Sequence, residues 1–426
     1  MIKTKAVLPL IAISIICFAC NMDVPIARMN LEVVPSLKSI TDIEDYLGKH
    51  YFGGSPDETV KLILDDVDLG NMTAAGSGWR DLLDIIDGAK KYVSLDLSGC
   101  GIDSSVFDPD SSITTGKKYI VNMVLPDEAT SIASADPNFQ YFDNLKTIEA
   151  HNVTFINRYA FKNCGELTDA NFPNLTELSA EVFLDCKKLT NVNMPKLTTM
   201  VDWGTFQNCQ ELRSVNFPKL TQLCNYAFAG CKKLESVNFP QVTNPNNYLP
   251  SNVFEACENL KSVTMEKTEY IGSAFFKDCK GLVTVNLPNL KKIFENAFEN
   301  CIKLSSVSFP ELSIVGYESF KGCKGLLSIN IPKVSEFDNF VFRDTGNGLL
   351  TVTMGEIPPI LGISTFSDVT SLKRVTVRVP VAAYSLYATG SGPNWIYGFS
   401  GNGWDGANYT TGGTLNPNII ITISQY

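Results

Sequence analysis

Twelve cysteines and two histidines are the side chains of this 426-residue chain best suited to nucleophilic, redox or metal chemistry. Eight of the cysteines fall at 164, 186, 209, 231, 257, 279, 301 and 323, in steps of 22, 23, 22, 26, 22, 22 and 22. A thiol repeated at a fixed interval admits three readings: buried free thiols acting as small hydrophobes, disulfides between neighbours, or metal ligands. Stacked turns would bring equivalent Cα atoms to about 5 Å, within bridging range, but parallel inward side chains make poor disulfide geometry. Metal binding has less support, since the ladder cysteines form no Cys-x-x-Cys pair and neither His50 nor His151 accompanies one of them. Cys100 and Cys224 stand outside the ladder and are the exceptions to watch. The run Asp65-Asp66-Val67-Asp68-Leu69-Gly70-Asn71 is as acidic as a calcium loop but lacks its alternate spacing and closing Glu, and reads as a solvated turn. No Walker loop, Gly-x-Ser-x-Gly or His-Glu-x-x-His occurs. The expectation is a non-enzyme with no catalytic residues, no cofactor and no metal.

The elements that carry these cysteines repeat with them. Each Cys has a Phe three residues before it (Phe161 to Phe320) and a Leu three after it (Leu167 to Leu326). Val or Ile follows at the sixth position in seven of the eight copies, and Pro at the ninth in seven, with Glu266 the exception. Ala297, Phe298, Cys301 and Leu304 have the spacing of one helical face, and Val307-Ser308-Phe309 then alternates like a strand that Pro310 ends. Copies without Cys extend the frame upstream, with Phe142 in the Cys position, and downstream, with Gly346 and then Val369 in it. A fixed period of this length means a solenoid, because one repeat of about six apolar side chains cannot offset the entropy of ordering 22 residues. The expected fold is an α/β repeat solenoid over residues 91–380, about twelve turns of 22–23 residues, with parallel strands on one face and short helical turns on the other.

The motif Ala-Phe-x-x-Cys-x-x-Leu-x-x-Val-x-Phe-Pro, read best at 227–240 and again at 297–310, resembles the BspA-like leucine-rich repeats of bacterial surface proteins. The resemblance covers about 290 residues. It implies a leucine-rich-repeat solenoid and a role in attachment to host proteins or other cells, without naming a ligand.

Outside the repeats, residues 1–19 read as a signal peptide: Lys3 and Lys5 precede an apolar run, Ala6 to Ala19, too short to span a bilayer comfortably. The ending Cys17-Phe18-Ala19-Cys20 resembles a bacterial lipoprotein signal, which implies lipid attachment at Cys20 and an envelope-anchored protein, in the outer membrane or at the cell surface. Residues 20–36 read as a tether, 37–90 as an N-terminal region whose helix Trp79 to Ala89 caps the solenoid, and 381–426 as a C-terminal cap. A short helix is expected over 381–389 and an apolar strand over Ile419 to Ile423. Trp395, Tyr397, Phe399, Trp404 and Tyr409 in the Gly-rich stretch either cover the last turn or form a platform for a sugar.

Function must then be sought on the surface. A net charge of -10 argues against nucleic acid as a partner. The outward strand positions, five and seven residues after each Cys, are occupied almost throughout by Asn, Ser and Thr. Stacking makes them two polar ladders, either a self-satisfied solvated surface or a flat ligand face. Asn193, Asn216, Ser236, Asn238, Thr284, Asn286 and Asn330 are the candidate ligand residues on it. Three readings follow: an adhesin-like binder of a protein or other cell-surface macromolecule, a module that binds a glycan through the C-terminal aromatics, or an envelope structural protein without external ligand. The membrane enters only through the lipid anchor.

Overall fold

The computed structural model describes residues 34–426 apart from 134–138, 140, 244–247, 347–348, 363–364, 366–373, 384–409, 412–413, 416–419 and 426. Residues 1–35 form a separate unit, so Cys20 lies outside the described residues, and everything below concerns residues 36–426.

Parallel strands stack one per coil, each about 22 residues from the next. The first sheet joins Ser36–Leu37, Val60–Asp68, Val93–Gly101, Ile120–Val124, Thr147–Glu149, Asp169–Asn171 and Asn191–Asn193. A second joins Ser236–Asn238, Ser262–Thr264 and Thr284–Asn286; a third runs from Ser306–Ser308 through Ser328–Asn330, Leu349–Thr353 and Arg374–Val379 to Ile420–Gln425. With the single bridge at Ser214, thirteen rungs lie between residues 93 and 379, one more than the repeat arithmetic suggested. The fold is the expected parallel-strand repeat solenoid. Inward side chains alternate with outward ones, as in Ser306–Val307–Ser308, because a strand has period two. A second ladder of two-residue strands, such as Ile314–Val315 and Glu336–Phe337, lines another side of each coil.

The Ala-Phe-x-x-Cys segments form open turns rather than helical ones. The residues one and five before each Cys hold positive φ: Asn296 at 55° and Asn300 at 60° in one turn, Ala274 at 52° and Asp278 at 58° in the turn before. Left-handed residues break an α-helix. Backbone donors therefore alternate. Cys301 bonds back to Phe298 (3.1 Å), whereas Phe298 and Asn300 bond across to Ser319 and Lys321 of the next coil (both 2.8 Å). The turns are thus part of the stacking network, and the helix-like spacing of their apolar residues reflects one buried side of a tight loop.

The core between these layers is a file of rings. Phe161, Phe183, Phe206, Phe228, Phe254, Phe276, Phe298, Phe320 and Phe342 follow one another with centroids 5.1–5.7 Å apart. Offset stacking of this kind adds about 0.5–1.5 kcal/mol per pair beyond area burial.

At the N-terminal end two helices cover the first coils: α1, Ile40–Lys49, capped by Ser39, and α2, Gly78–Ala89, capped by Ser77. Trp79, Leu82, Leu83 and Ile86 of α2 are fully buried. Arg80 pairs with Asp110, and the buried Lys117 donates to the Asp110 carbonyl oxygen. Burial lowers the Lys117 pKa to about 8, against the pull of Asp110 and Asp108. The ladder begins before the solenoid expected over 91–380: Val60–Asp68 pairs with Val93–Gly101 and Ser36–Leu37 with Val60–Asp68, so strand pairing runs back through the N-terminal region 37–90. Downstream, Val381–Ala383 is a short 3-10 turn, and Ile420–Gln425 adds in parallel to Arg374–Val379. The rest of the 381–389 segment, Val369 and the five C-terminal aromatics lie outside the described residues.

Candidate interaction surface

The ladder cysteines are buried free thiols. Each donates to a backbone carbonyl of the preceding coil: Cys186 to Phe161 at 3.0 Å, Cys301 to Phe276 at 3.2 Å and Cys323 to Phe298 at 3.0 Å, with Cys164 to Phe139 the longest at 3.9 Å. Burial pushes the Cys164 thiol up to about 12 and the others upward as well, so none is poised as a nucleophile. Cys100 and Cys224 are also buried and free; Cys224 contacts the Thr205 hydroxyl at 3.3 Å. The Cys position after Cys323 belongs to Thr345, not Gly346. Thr345 Oγ1 donates to the Phe320 carbonyl at 2.6 Å, the same bond the thiols make, and the extra residue follows it, since Ile329 pairs with Val352.

Asp65 and Asp66 face Lys38, and Asp68 accepts from the Gly70 amide. Among the described residues no group of three or more His, Cys, Asp or Glu is arranged to hold a metal ion. His50 bonds the Tyr46 carbonyl at the end of α1. His151 is held by Asp127 at 2.8 Å and Glu149 at 3.3 Å; the hydrogen bond to Asp127 raises its pKa.

Strand register turns the outward positions into two columns. One reads Lys61, Ser94, Asn122, Thr147, Asp169 and Asn191; its neighbour reads Ile63, Asp96, Val124, Glu149, Asn171 and Asn193. Further along they continue as Ser236, Ser262, Thr284 and as Asn238, Thr264, Asn286. The last sheet adds Ser306, Ser328, Thr351, Thr376 and Ser308, Asn330, Thr353, Arg378. Of the candidate residues, Asn193, Asn216, Ser236, Asn238, Thr284 and Asn286 are exposed and Asn330 is half-buried. Bonds along the columns are made by Asn193 to Asn171 (2.7 Å), Asn191 to Asp169 (2.6 Å) and Asn330 to Ser308 (2.9 Å).

This face is neither uniform nor unbroken. Strand pairing stops between Asn193 and the coil at 214–217, and again between Asn286 and Ser306. At these places the inward Val192, Val215 and Val285 are only partly buried, whereas Val237, Val263 and Val307 are buried. The extra residue between Cys186 and Cys209 accompanies the first break; the spacing does not account for the second. A shallow trough of 530 Å³ lies on the first sheet, over residues 61–63, 94–96, 122–124, 147–149 and 169–171. Three of its five strands, Val60–Asp68, Val93–Gly101 and Ile120–Val124, are the longest of the ladder's first half, and they carry register shifts near Ile63 and Val93; bulges of this kind add twist to a sheet. The reading from sequence missed it. Its signal was in the weak copies, where Asp96 and Val124 continue the outward columns.

A model of the BspA type leucine rich repeat region, of six copies, matches residues 115–235, 176–304 and 291–388. The chain belongs to the BspA-type leucine-rich-repeat family. No curated protein matches it. Among solved structures, a T. pallidum leucine-rich-repeat protein is 22% identical over 43% of this chain and 77% of its own, with a TM-score of 0.34. A leucine-rich-repeat protein from Bacteroides ovatus is 19% identical over 61% and 84%, with a TM-score of 0.36. A leucine rich cell surface protein from Faecalibacterium prausnitzii is 19% identical over 59% and 83%, with a TM-score of 0.29. In this BspA-type chain no described helix is long and apolar enough to cross a membrane.

Proposed function

We propose that the chain is a cell-envelope protein, lipid-attached at Cys20, that binds a protein or other cell-surface macromolecule in an adhesin-like way through the outward side of its strand ladder and carries out no catalysis. The observation that supports this reading is the run of register-aligned outward side chains, exposed or half-buried from coil to coil among the described residues. A stable partner needs about 800 Å² on this side, which five or six adjacent coils supply. A face of small polar groups offers few deep anchors, so single-site affinity is modest and many displayed copies add avidity.

The test is binding of residues 36–426 to immobilised matrix proteins, to whole cells and to a glycan array. Lys substitutions at Ser236, Asn238, Thr284 and Asn286 are expected to weaken binding and leave the melting transition in place. Lys232→Glu and Lys303→Glu are the controls; Lys233 and Lys291 are unsuitable because they bond Glu211 at 2.5 Å and Glu269 at 2.8 Å. Loss of binding in the controls alone moves the site off this face. The anchor is tested separately: Cys20→Ser is expected to leave the detergent phase, and its retention there refutes lipid attachment.

A further inference from the structure

The trough differs in chemistry from the polar face beyond it. In one register column Ile63, Asp96, Val124 and Glu149 alternate apolar and acidic groups, and Asp169 adds a third carboxylate from the neighbouring column. Against these three acids the trough sets one cation, Lys61. From Asn191 to Thr353 the outward columns carry no charge.

We infer that this trough docks an extended, cationic segment of a protein partner, with aliphatic residues between its basic ones. The inference rests on the reading that the strand face binds a macromolecule, and it fixes where on that face and to what chemistry.

Three observations carry it. The cavity of 530 Å³ is open on the outward side of five adjacent strands. At about 4.8 Å per strand these span about 19 Å, the length of about six extended residues at ~3.3 Å each. Second, among the described residues no Lys or Arg forms an ion pair with Asp96, Glu149 or Asp169. Asp96 accepts from Ser98, Glu149 from Asn171, and Asp169 from Asn191 and Thr168; the ionic neighbour of Glu149 is His151. Elsewhere on the solenoid several acids are paired with a lysine one coil away: Glu166 with Lys188, Glu211 with Lys233 and Glu311 with Lys333. Third, Ile63 and Val124 stay half-exposed between the acids, giving the stems of Lys or Arg and intervening aliphatic residues a surface to cover.

The probe is a fluorescein-labelled ten-residue peptide of alternating Lys and Val, with a Glu–Val peptide for comparison, titrated into the full chain and read by anisotropy. Asp96→Asn, Glu149→Gln and Asp169→Asn together keep the local acceptors and are expected to weaken Lys–Val binding at least about tenfold. Glu166→Gln, Glu211→Gln and Glu311→Gln remove the same charge outside the trough and are expected to change it less than about twofold. Binding is expected to fall steeply at about 0.5 M salt. If the acid variant fails to melt cooperatively, Val124→Lys halves the net negative charge of the trough without removing a side-chain hydrogen bond and is expected to weaken binding in the same direction. Equal loss in both acid sets, no loss in either, or equal binding of the Glu–Val peptide overturns the inference. If a macromolecular partner is lost with the Ser236–Asn286 substitutions while the trough variants bind it normally, the wider reading stands and this one falls; if neither set affects that partner, both fall.

Discussion

At one position of the repeat, seven thiols reach a Phe carbonyl of the preceding coil at 3.0–3.2 Å, and Thr345 reaches the equivalent Phe320 carbonyl at 2.6 Å. That carbonyl is buried and already accepts the amide of the Cys in its own coil, as Phe276 does from Cys279 at 3.1 Å, so the thiol is its second donor. The thiol is small and apolar enough to pack beside the Phe file and still donates, which distinguishes it from Ala or Val. Two consequences are separable at Cys301. Cys301→Val keeps the apolar bulk and loses the second donor to the Phe276 carbonyl, and is expected to destabilise by about 0.5–1.5 kcal/mol. Cys301→Thr keeps both, as the chain already does at 345, and is expected to cost under about 1 kcal/mol. Urea melts of the two variants decide it; if Val and Thr behave alike, the hydrogen bond contributes nothing and the position is pure packing. The same burial is expected to leave the ladder thiols silent to a thiol reagent in the native chain and reactive after denaturation without reductant.

Legibility differed from element to element for physical reasons. Inward residues of the strands and turns were readable because burial restricts them to Phe, Leu, Val and Cys at fixed offsets. The turn conformation was misread as helical because spacing reports which side of a segment is buried, not its backbone. The telling residues were Asn163, Asp185, Asn208, Asp278 and Asn300, types that tolerate φ near +60°, with Gly230 and Gly322 in the same place one before the Cys; Ala256, at φ 57°, is the one copy whose type does not announce the turn. Gly322 also lies close over its neighbour: a Cβ there would come within 2.3 Å of Asn300 Oδ1. The polar columns were readable where they are Asn, Ser and Thr, but the trough was not, because its first three strands, Val60–Asp68, Val93–Gly101 and Ile120–Val124, lie before the first cysteine of the ladder and their register shifts leave no mark on the spacing. The turn assignment makes a prediction about Asn300, which holds φ at 60° and donates to Asp278 at 2.9 Å. Asn300→Val places a β-branched residue in the left-handed region and drops the bond, for an expected loss of about 2–3 kcal/mol. Asn300→Gly loses only the bond and gains backbone latitude, so about 1 kcal/mol or less is expected. Chemical denaturation of the pair would contradict the turn if Gly were the more damaging, as it would be inside a helix.

Across the whole solenoid, stability is a sum over coils and the interfaces between them, so a break in the ladder is a weak interface. The amides of Phe172, Phe239, Met265 and Phe309 each bond to the outward strand of the next coil, at 2.9, 2.9, 3.1 and 2.9 Å. The corresponding bonds from Met194 to residue 216, from Phe217 to Asn238 and from Leu287 to Ser308 are absent. The turn side stays bonded there: Phe183 reaches Thr205 at 2.8 Å and Phe276 reaches Ala297 at 2.7 Å, so coils part on the strand side while the turns hold them together. Partial exposure of Val192, Val215 and Val285 at the same places fits a hinge that opens on the outward strand side. Local opening then costs less than global unfolding at these three interfaces, on both sides of the coil at 214–217 and between Asn286 and Ser306. Hydrogen exchange is expected to divide the ladder into three protected blocks, ending at Asn193, running from Ser236 to Asn286, and starting at Ser306. The Met194 and Leu287 amides should exchange well before Phe172 and Phe309. Uniform protection along the ladder would mean that the coils part nowhere in solution and that the face is one rigid surface. Block-wise exchange would instead leave the trough block free to engage its partner while the polar blocks adjust around it.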